Sequence, residues 1–404
     1  MSYKIKNVYN HCLFYTQNNS TMNIGFDAKR AYENNTGLGH YSRTLVKSLA
    51  TFYPQENYYL FAPKITDNFI TNTYPNIFPV KPTGFAADIL KEKWRRKWVV
   101  KDLIKHKIDI YHGLSHQIPF NLNTAKIKSV VTIHDLIFER FPQQFNKINV
   151  QLFRKKFTYA CKHSDKIIAI SQQTKKDIIN FYKIPENKIE VCYQSCDDIY
   201  RKEVTEEEKL RIKNLYNLPE QFFLYVGSII ERKNLLTVVK AISNLKSSNN
   251  IPLVVIGNGS SYKQKVKNYI QQNNLEKDII FLSEYTAINN LKSFQTSADF
   301  PAIYQQAIAM VYPSSFEGFG IPVLEALCSK LPVITSNLSC LPEAGGDAAY
   351  YIDPASEEEI TNAMKNIFTD KNLAASMKIK GVEYSQNFTQ QKTAAAVMKV
   401  YTSI

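Results

Sequence analysis

The sequence predicts an α/β protein built from two successive units of alternating strands and helices. A chain of 404 residues, 44% of them apolar, is long for one core and comfortable for two domains. Short apolar runs alternate with helical patterns in both halves, which is typical of parallel sheets flanked by helices. Between Asp197 and Glu220 the chain is charged and ends in Leu218-Pro219, which predicts a hinge near residue 200.

Composition excludes several classes of protein. With 13 Gly and 16 Pro the chain is an ordinary globular protein. No apolar run approaches the ~18 residues needed to span a bilayer, and the N-terminus has no signal-peptide pattern, so we expect a cytoplasmic protein. The six cysteines are scattered, which favours reduced thiols over disulfides or a zinc site.

The charge is unevenly distributed. The net charge is +14; residues 1–200 hold 29 Lys and Arg against 16 Asp and Glu, whereas residues 201–404 hold 21 against 20. The basic half predicts an anionic partner, either a membrane surface or a phosphorylated or diphosphate-linked acceptor, unless it is only a solvated surface. No nucleic-acid-binding signature occurs, so we expect no nucleic-acid partner.

The first unit starts with a polar segment, residues 1–21, to which we assign no function. An opening strand at residues 22–29 follows, and then Gly37 and Gly39 lie in a turn that leads into a helix ending near Phe52. A glycine-rich turn between strand and helix can present backbone N–H groups to an anion, although many such turns are only tight turns.

A basic amphipathic helix is predicted at residues 90–104. Leu90, Trp94 and Trp98 share one face beside a dense Lys/Arg face. The pattern suits peripheral contact with an anionic membrane leaflet, on the inner face of the membrane for a cytoplasmic protein. The alternative is that both tryptophans pack into the domain core while the charges face water.

Polar side chains end one of the strands that follow. The apolar run at residues 128–133 leads directly into His134 and Asp135, which places both at the carboxyl edge of the predicted sheet, where α/β proteins bind ligands. A histidine at such a position is more often structural than catalytic.

In the second unit, a buried strand at residues 222–226 is followed by Arg232 and Lys233 near a helix start. Cations at a helix N-terminus are unfavourable because the positive end of the helix dipole lies there, so a bound anion would be needed to offset the repulsion. A diphosphate, which cations and helix N–H groups both stabilise, resolves that conflict.

The stretch Tyr312 to Glu325 is predicted to form strand, tight turn and helix. Gly318 and Gly320 permit a sharp turn, and Pro322 suits the first helical turn, so the helix is expected to begin near Gly320. Glu317 on the turn and Glu325 in the helix can flank one crevice and accept hydrogen bonds from sugar or ribose hydroxyls. Alternatively, Glu317 is a cap and Glu325 a solvated helix residue.

The ten residues Glu317 to Ala326, E-G-F-G-I-P-V-L-E-A, resemble the signature of retaining glycosyltransferases of the GT-B fold, family 4. Three other motifs appear in family order: Gly37-Leu-Gly-His-Tyr, Thr132-Ile-His-Asp-Leu and Arg232-Lys-Asn. His40 and Ser228 depart from the arginines of many relatives. The resemblance implies two facing Rossmann-like domains with parallel sheets and an interdomain cleft, formed by residues 22–200 plus 388–404 and by residues 201–387.

The resemblance also implies roles for individual residues. A hexose passes from a nucleotide-sugar to a glycan or lipid-linked acceptor of surface polysaccharide or lipopolysaccharide synthesis, without a cofactor or a metal. Glu317 and His134 are expected to be catalytic, with His134 at the sugar. The substrate-binding set is Gly37, Gly39, Asp135, Arg232, Lys233, Gly318, Phe319, Gly320 and Glu325.

The donor is left open by the sequence. The sequence around the glutamate pair looks most like that of mannosyltransferases, so GDP-mannose is the first choice of donor and a UDP-sugar the second. Two other functions fit the same motifs: a nucleotide-sugar epimerase of similar fold, and a non-catalytic module that binds a nucleotide-sugar or a membrane.

Overall fold

A computed structural model of the chain describes residues 21–84, 89–245 and 251–404. Nearly all of the predicted N-terminal extension, residues 1–20, lies outside the described residues. The described strands form two sheets, of seven and six strands, and every strand pair in them is parallel. The predicted α/β architecture of two Rossmann-like units is confirmed.

The first sheet has the strand order β3-β2-β1-β4-β5-β6-β7. Its strands are β1 (Asn23–Asp27), β2 (Asn57–Phe61), β3 (Ile77–Val80), β4 (Ile110–Gly113), β5 (Lys128–Ile133), β6 (Lys166–Ala169) and β7 (Ile189–Val191). Its helices are α1 (Lys29–Glu33), α2 (Gly37–Phe52), α3 (Lys91–Lys93), α4 (Val99–Lys105), α5 (Ile137–Arg140), α6 (Lys147–His163) and α7 (Gln172–Tyr182).

The second sheet has the strand order β10-β9-β8-β11-β12-β13. Its strands are β8 (Phe223–Val226), β9 (Leu253–Ile256), β10 (Ile279–Phe281), β11 (Met310–Tyr312), β12 (Val333–Ser336) and β13 (Tyr350–Ile352). Its helices are α8 (Glu206–Tyr216), α9 (Leu235–Leu245), α10 (Ser261–Gln272), α11 (Thr286–Asn289), α12 (Lys292–Gln295), α13 (Phe300–Gln306), α14 (Ile321–Cys328), α15 (Leu341–Gly345), α16 (Glu357–Thr369) and α17 (Lys371–Ser385).

The final helix, α18 (Gln390–Thr402), packs on the first domain against α2. Tyr401 contributes its buried ring to the core around β1, and its hydroxyl lies 2.6 Å from Nδ1 of His112 on β4. The other ring nitrogen of His112 lies 2.8 Å from the Thr132 hydroxyl on β5. A buried polar network therefore ties the last helix to two central strands of the first sheet.

The basic stretch at residues 90–104 forms α3, a π-helical turn (Trp94–Trp98) and α4 rather than one regular helix. Trp94 is buried in the core, where its indole N–H donates to Asp102 at 2.6 Å. Arg95 is also buried and donates to both carboxylate oxygens of Asp27. Trp94 thus follows the packing alternative, and Arg95 is a structural cation rather than part of an exposed basic face.

The two sheets each have one point at which the strand order reverses, between β1 and β4 and between β8 and β11. Open parallel sheets bind ligands outside the carboxyl ends of the strands at such points. The loops that follow β1 and β8 both line one cavity between the domains, of about 390 Å³. The topology therefore places the candidate site in the interdomain cleft.

Candidate functional site

Glu317 is the centre of a buried polar network. It lies in the turn after β11, and its side chain is 12% exposed. One carboxylate oxygen accepts hydrogen bonds from the Tyr312 hydroxyl at 2.9 Å and from the Ser314 hydroxyl at 2.8 Å. The same oxygen is 2.9 Å from a guanidinium nitrogen of Arg232 and 3.2 Å from Nζ of Lys233.

The electrostatics of this network favour the carboxylate form of Glu317. Burial alone raises the pKa of a carboxyl group, but the charges of Lys233 and Arg232 and the two hydroxyl donors lower the pKa of Glu317 to about 2. Glu317 is therefore ionised at neutral pH. Two cations and a carboxylate at these distances form an ordered charged site rather than a solvated cap.

The two cations lie just before a helix, not in its first turn. Arg232 and Lys233 end a short 3₁₀ turn, and α9 begins two residues after Lys233. Arg232 donates to the backbone carbonyl of Phe316 as well as pairing with Glu317. Lys233 reaches Tyr312 and lines the cleft cavity beside Gly227, so it is the cation placed to meet an anion in that cavity.

The helix that follows the turn begins where the sequence predicted. Gly320 has a φ of 111°, a conformation that favours glycine, and α14 starts at Ile321. The side chain of Phe319 is buried against Tyr193 and Phe388, which gives it a packing role. Only the backbone of Phe319, and not its side chain, is therefore available to contact a substrate.

Glu325 lines the same cavity from within α14. The Tyr304 hydroxyl donates to its carboxyl group at 2.9 Å. Burial raises the pKa of Glu325 to about 8, so the two glutamates have opposite protonation states near pH 7. Glu325 is neutral there and can both donate and accept a hydrogen bond, which suits a pair of ligand hydroxyls.

His134 follows β5 on the facing domain and is buried. Its Nε2 donates to the carbonyl of Leu114 at 2.9 Å, and the Tyr41 ring contacts it edge-on with centroids 4.6 Å apart. Burial lowers the pKa of His134 to about 4. The ring is therefore neutral near pH 7, and Nδ1 carries a lone pair.

Asp135 adjoins a second groove between the domains, of about 710 Å³, which it lines together with Arg232. One of its carboxylate oxygens accepts from the N–H of Ile137 at 3.1 Å. Burial raises the pKa of Asp135, while this hydrogen bond and the charge of Arg232 act in the opposite direction. Asp135 and Arg232 therefore line this groove and not the main cavity.

The glycine-rich loop differs from the expected anion cradle. Gly37 is the first residue of α2 and lines the cavity, so its N–H has no partner within the helix. Gly39 lies inside the helix, and its N–H donates to the Thr36 carbonyl at 2.9 Å. A Cβ at Gly39 would lie 1.8 Å from the Asn34 carbonyl oxygen. Gly39 is thus required for close packing, and its N–H is already used.

The domains touch each other directly at the site. A Cβ on Gly318 would lie 2.3 Å from the backbone oxygen of His134. The carboxylate of Glu343, beside β12, accepts from the N–H groups of Gln172 at 2.7 Å and Gln173 at 3.0 Å. These N–H groups open α7 of the first domain, where a carboxylate is favoured by the helix dipole. Glu343 therefore caps a helix of the opposite domain.

Several of these residues were not found from the sequence. Tyr41, Tyr304 and Glu343 act through contacts with residues far away in the chain, and such pairings leave no local signal.

The described ranges, residues 21–84, 89–245 and 251–404, show neither a metal centre nor a membrane span. They contain no cluster of three or more His, Cys, Asp and Glu side chains arranged to hold a metal ion. Their helices are all too short or too polar to cross a bilayer.

Two family models match successive parts of the chain. Residues 37–198 match the model described as Glycosyltransferase Family 4, and residues 206–383 match the model described as Glycosyl transferases group 1. Each match falls within one of the two domains, and together they include Glu317, Glu325, Arg232, Lys233 and His134.

Named relatives agree with these matches. The chain is 26% identical to O-antigen chain mannosyltransferase B of Escherichia coli over 382 residues, which are 91% of this chain and 96% of that protein. It is 29% identical to O-antigen chain mannosyltransferase RfbU of Salmonella typhimurium over 256 residues, 62% of this chain and 63% of that protein. The crystal structure of Anabaena HepE in complex with UDP has the same fold, with a TM-score of 0.70 at 15% identity over 95% of this chain and 100% of that one.

Proposed function

This chain belongs to the GT-B glycosyltransferases of family 4, and from that membership we propose that it transfers a hexose from a nucleotide-sugar with retention of anomeric configuration. The acceptor is a glycan or a lipid-linked glycan of surface polysaccharide or lipopolysaccharide synthesis. The observation that supports this most directly is the convergence of charge: Arg232 and Lys233 both bind Glu317, and Lys233 shares one interdomain cavity with Glu325.

In the proposed reaction, the bond between the sugar C1 and the donor phosphate oxygen breaks while the acceptor oxygen bonds to C1 on the same face. The acceptor proton passes to an oxygen of the departing phosphate. Lys233 and the start of α14 offer positive charge to the leaving diphosphate, so no metal is required by this scheme. Glu317 and the neutral His134 orient the sugar, and Glu325 holds the ribose hydroxyls.

Mannose with a GDP carrier is the first choice of donor, because both named relatives are mannosyltransferases. A UDP-sugar is the second choice, since the structural neighbour binds UDP. Thermal-shift titration with GDP and UDP separates them, and the larger stabilisation identifies the base. Stabilisation by neither nucleotide would contradict a nucleotide-sugar donor.

The transfer itself is tested with radiolabelled GDP-mannose and UDP-glucose, each incubated with the full chain and a membrane extract. Label in lipid or glycan supports transfer. An isomerised donor identifies an epimerase, and an unchanged donor that still binds identifies a non-catalytic module. Repeating the assay with a chelator tests metal independence, and NMR of the product anomeric proton tests retention.

We further propose that the protein works at the cytoplasmic face of a membrane as a peripheral protein. Because Trp94 and Arg95 are buried, the surface that remains for an anionic leaflet consists of Ile89 and Leu90, which are exposed, together with Arg96 and the exposed lysines around them. Liposome sedimentation should show weaker binding after exchange to Glu at the first-domain positions Lys91, Lys93 and Lys97, and unchanged binding after the same exchange at the second-domain positions Lys365, Lys371 and Lys380. Equal binding by both triple variants would contradict the membrane surface.

A further inference from the structure

Two cysteines that are far apart in the chain lie in contact at the junction of the domains. Cys196 is in the segment that leaves the first domain after β7, and Cys328 is the last residue of α14 in the second domain. The thiol of Cys196 donates to the sulfur of Cys328, and the two sulfur atoms are 3.4 Å apart. Because a disulfide bond is about 2.05 Å long, the sulfurs are about 1.4 Å from bonding distance.

The other described cysteines have no such arrangement. Cys161, Cys192 and Cys340 are buried, and none of them contacts a second thiol within the residues that the structure describes. Burial raises the pKa of the Cys161 thiol to about 12 and that of the Cys192 thiol also to about 12. Thiols of this kind stay protonated near pH 7 and are unreactive.

The surroundings of the pair favour a thiolate on Cys328. The hydrogen bond from Cys196 lowers the pKa of Cys328, and the guanidinium charge of Arg201 acts in the same direction, against the effect of burial. The same hydrogen bond raises the pKa of Cys196 well above its usual value. Cys328 is therefore the nucleophile of the pair, and Cys196 is the thiol that keeps its proton.

Each cysteine of the pair lines a different cavity. Cys328, 5% exposed, lines a pocket of about 150 Å³ together with Arg201 and Lys330. Cys196 lines the interdomain cavity that also contains Glu325. The smaller pocket has room for several molecules of the size of water, so a small oxidant can reach Cys328 without unfolding of the chain.

We propose that Cys196 and Cys328 form a modification site at which hydrogen peroxide makes a reversible disulfide between the two domains. Disulfides in proteins of reducing compartments are usually transient and redox-sensing. The resting state of this site is the reduced pair, with both thiols free.

The oxidation proceeds in two steps. The Cys328 thiolate attacks one oxygen of the peroxide, the O–O bond breaks, and the departing hydroxide takes up a proton to become water, which leaves Cys328 as a sulfenic acid. The Cys196 sulfur then attacks the Cys328 sulfur, the S–S bond forms, the S–O bond breaks, and the leaving hydroxide takes the Cys196 proton as a second water. Two thiols are oxidised to one disulfide while one peroxide is reduced to two waters. A dithiol reverses the reaction by thiol–disulfide exchange.

The disulfide joins the segment between the domains to the helix that carries Glu325. Glu325 lies three residues before Cys328, about one turn earlier on α14. Gln194 and Asp197, on either side of Cys196, line the same cavity as Glu325. The bond therefore fixes this wall of the cavity against α14 and restrains the domains where the chain passes between them. Because domain motion accompanies substrate binding and product release in many enzymes, the disulfide should slow transfer.

The first test is formation of the disulfide. The reduced full chain is treated with about 1 mM hydrogen peroxide, the remaining thiols are alkylated in denaturant, and its peptides are analysed by mass spectrometry without reduction. We expect a peptide pair joined through Cys196 and Cys328 that disappears after treatment with dithiothreitol. Recovery of both cysteines as alkylated thiols, or of Cys328 as a sulfinic or sulfonic acid without the joined pair, would overturn the modification site.

The second test measures transfer before and after the same treatment. In the wild type, kcat should fall at least about fivefold and return after dithiothreitol. In Cys196→Ala and in Cys328→Ala, the ratio of treated to untreated kcat should stay within about twofold of one, whereas Cys161→Ala, the matched control, should respond like the wild type. Each of the first two variants removes the pair, so the other carries the test if one fails to fold.

Two results would refute the effect on transfer. One is equal inhibition of the wild type and of both pair variants, and the other is an unchanged kcat in a fully cross-linked wild type. The disulfide itself does not rest on the proposed function, because mass spectrometry detects it without a transfer assay. A cross-linked protein that transfers no sugar in either redox state would contradict the proposed function and leave the modification site standing.

Discussion

Replacing Glu317 by Gln tests whether the buried charge network is used in transfer. The carboxyl group ionises with a pKa near 2 in the folded protein and near 4.5 when unperturbed, so its surroundings favour the charged form by about 3 kcal/mol. Glutamine keeps an oxygen for the Tyr312 and Ser314 hydroxyls but leaves Arg232 and Lys233 uncompensated. We expect a loss of roughly 2 to 3 kcal/mol in the free energy of unfolding at pH 7.

The stability that Glu317 contributes should depend on pH. Because the folded pKa lies below the unfolded one, the stabilisation is complete above about pH 4.5 and is lost as the pH falls toward 2. Urea unfolding should therefore show a large difference between wild type and variant at pH 7 and a smaller one at pH 3. The control is Glu357→Gln, which removes a more exposed ion pair with Lys240 and should change stability by less than about 1 kcal/mol.

Activity supplies the second measurement. A loss of about 3 kcal/mol in transition-state stabilisation lowers kcat about 100-fold. Affinity for the nucleoside diphosphate should rise severalfold at the same time, because both cations are released from Glu317. A kcat within about threefold of wild type, or an equal stability loss at pH 3 and pH 7, would refute the reasoning.

Three further predictions concern neighbouring parts of the site. Burial raises the folded pKa of Glu325 from an unperturbed value of 4.5 to about 8, so the stability of the fold falls as the pH rises from about 4.5 to 8 and the buried carboxyl ionises above that. Glu325→Gln should therefore have a higher melting temperature than wild type at pH 9 and not at pH 5, and an equal gain at both would contradict this. A methyl group at Gly318 would meet the His134 carbonyl at 2.3 Å, whereas one at Gly37 meets nothing within 4 Å. Gly318→Ala should therefore lower the melting temperature and raise the donor KM, and Gly37→Ala should leave the melting temperature unchanged; the reverse order would be inconsistent with the closed cleft. Glu343→Gln removes one of the two hydrogen bonds that Glu343 accepts across the domains, and small-angle scattering should show a larger radius of gyration with unchanged helix content by circular dichroism.

Local patterns predicted the strand ends well. The apolar run at residues 128–133 forms β5 with those bounds, and α14 begins one residue after Gly320. Such positions follow from turn chemistry and apolar runs, which depend on neighbours in sequence. The placement of His134 directly after a buried strand follows from the same signal.

Features that depend on distant partners were not predictable. The periodicity at Trp94 is the same whether the ring faces a membrane or the core, and only tertiary contacts, namely its burial in the core and its hydrogen bond to Asp102, distinguish the two. The pairing of Glu317 with Arg232 joins residues from two strand ends. No local pattern records that pairing, because it depends on how β8 and β11 lie side by side.

The helix α18 has a consequence for biosynthesis. Its residues, from Gln390 onward, complete the core around β1 and supply the Tyr401 hydroxyl to His112. During synthesis, the core of the first domain therefore cannot be completed until residues that follow the whole second domain have been made. Until these residues emerge, the apolar face of α2 that packs against α18 is exposed and can bind chaperones. Truncation within α18 should therefore destabilise the first domain rather than the second domain, which precedes α18 in the chain.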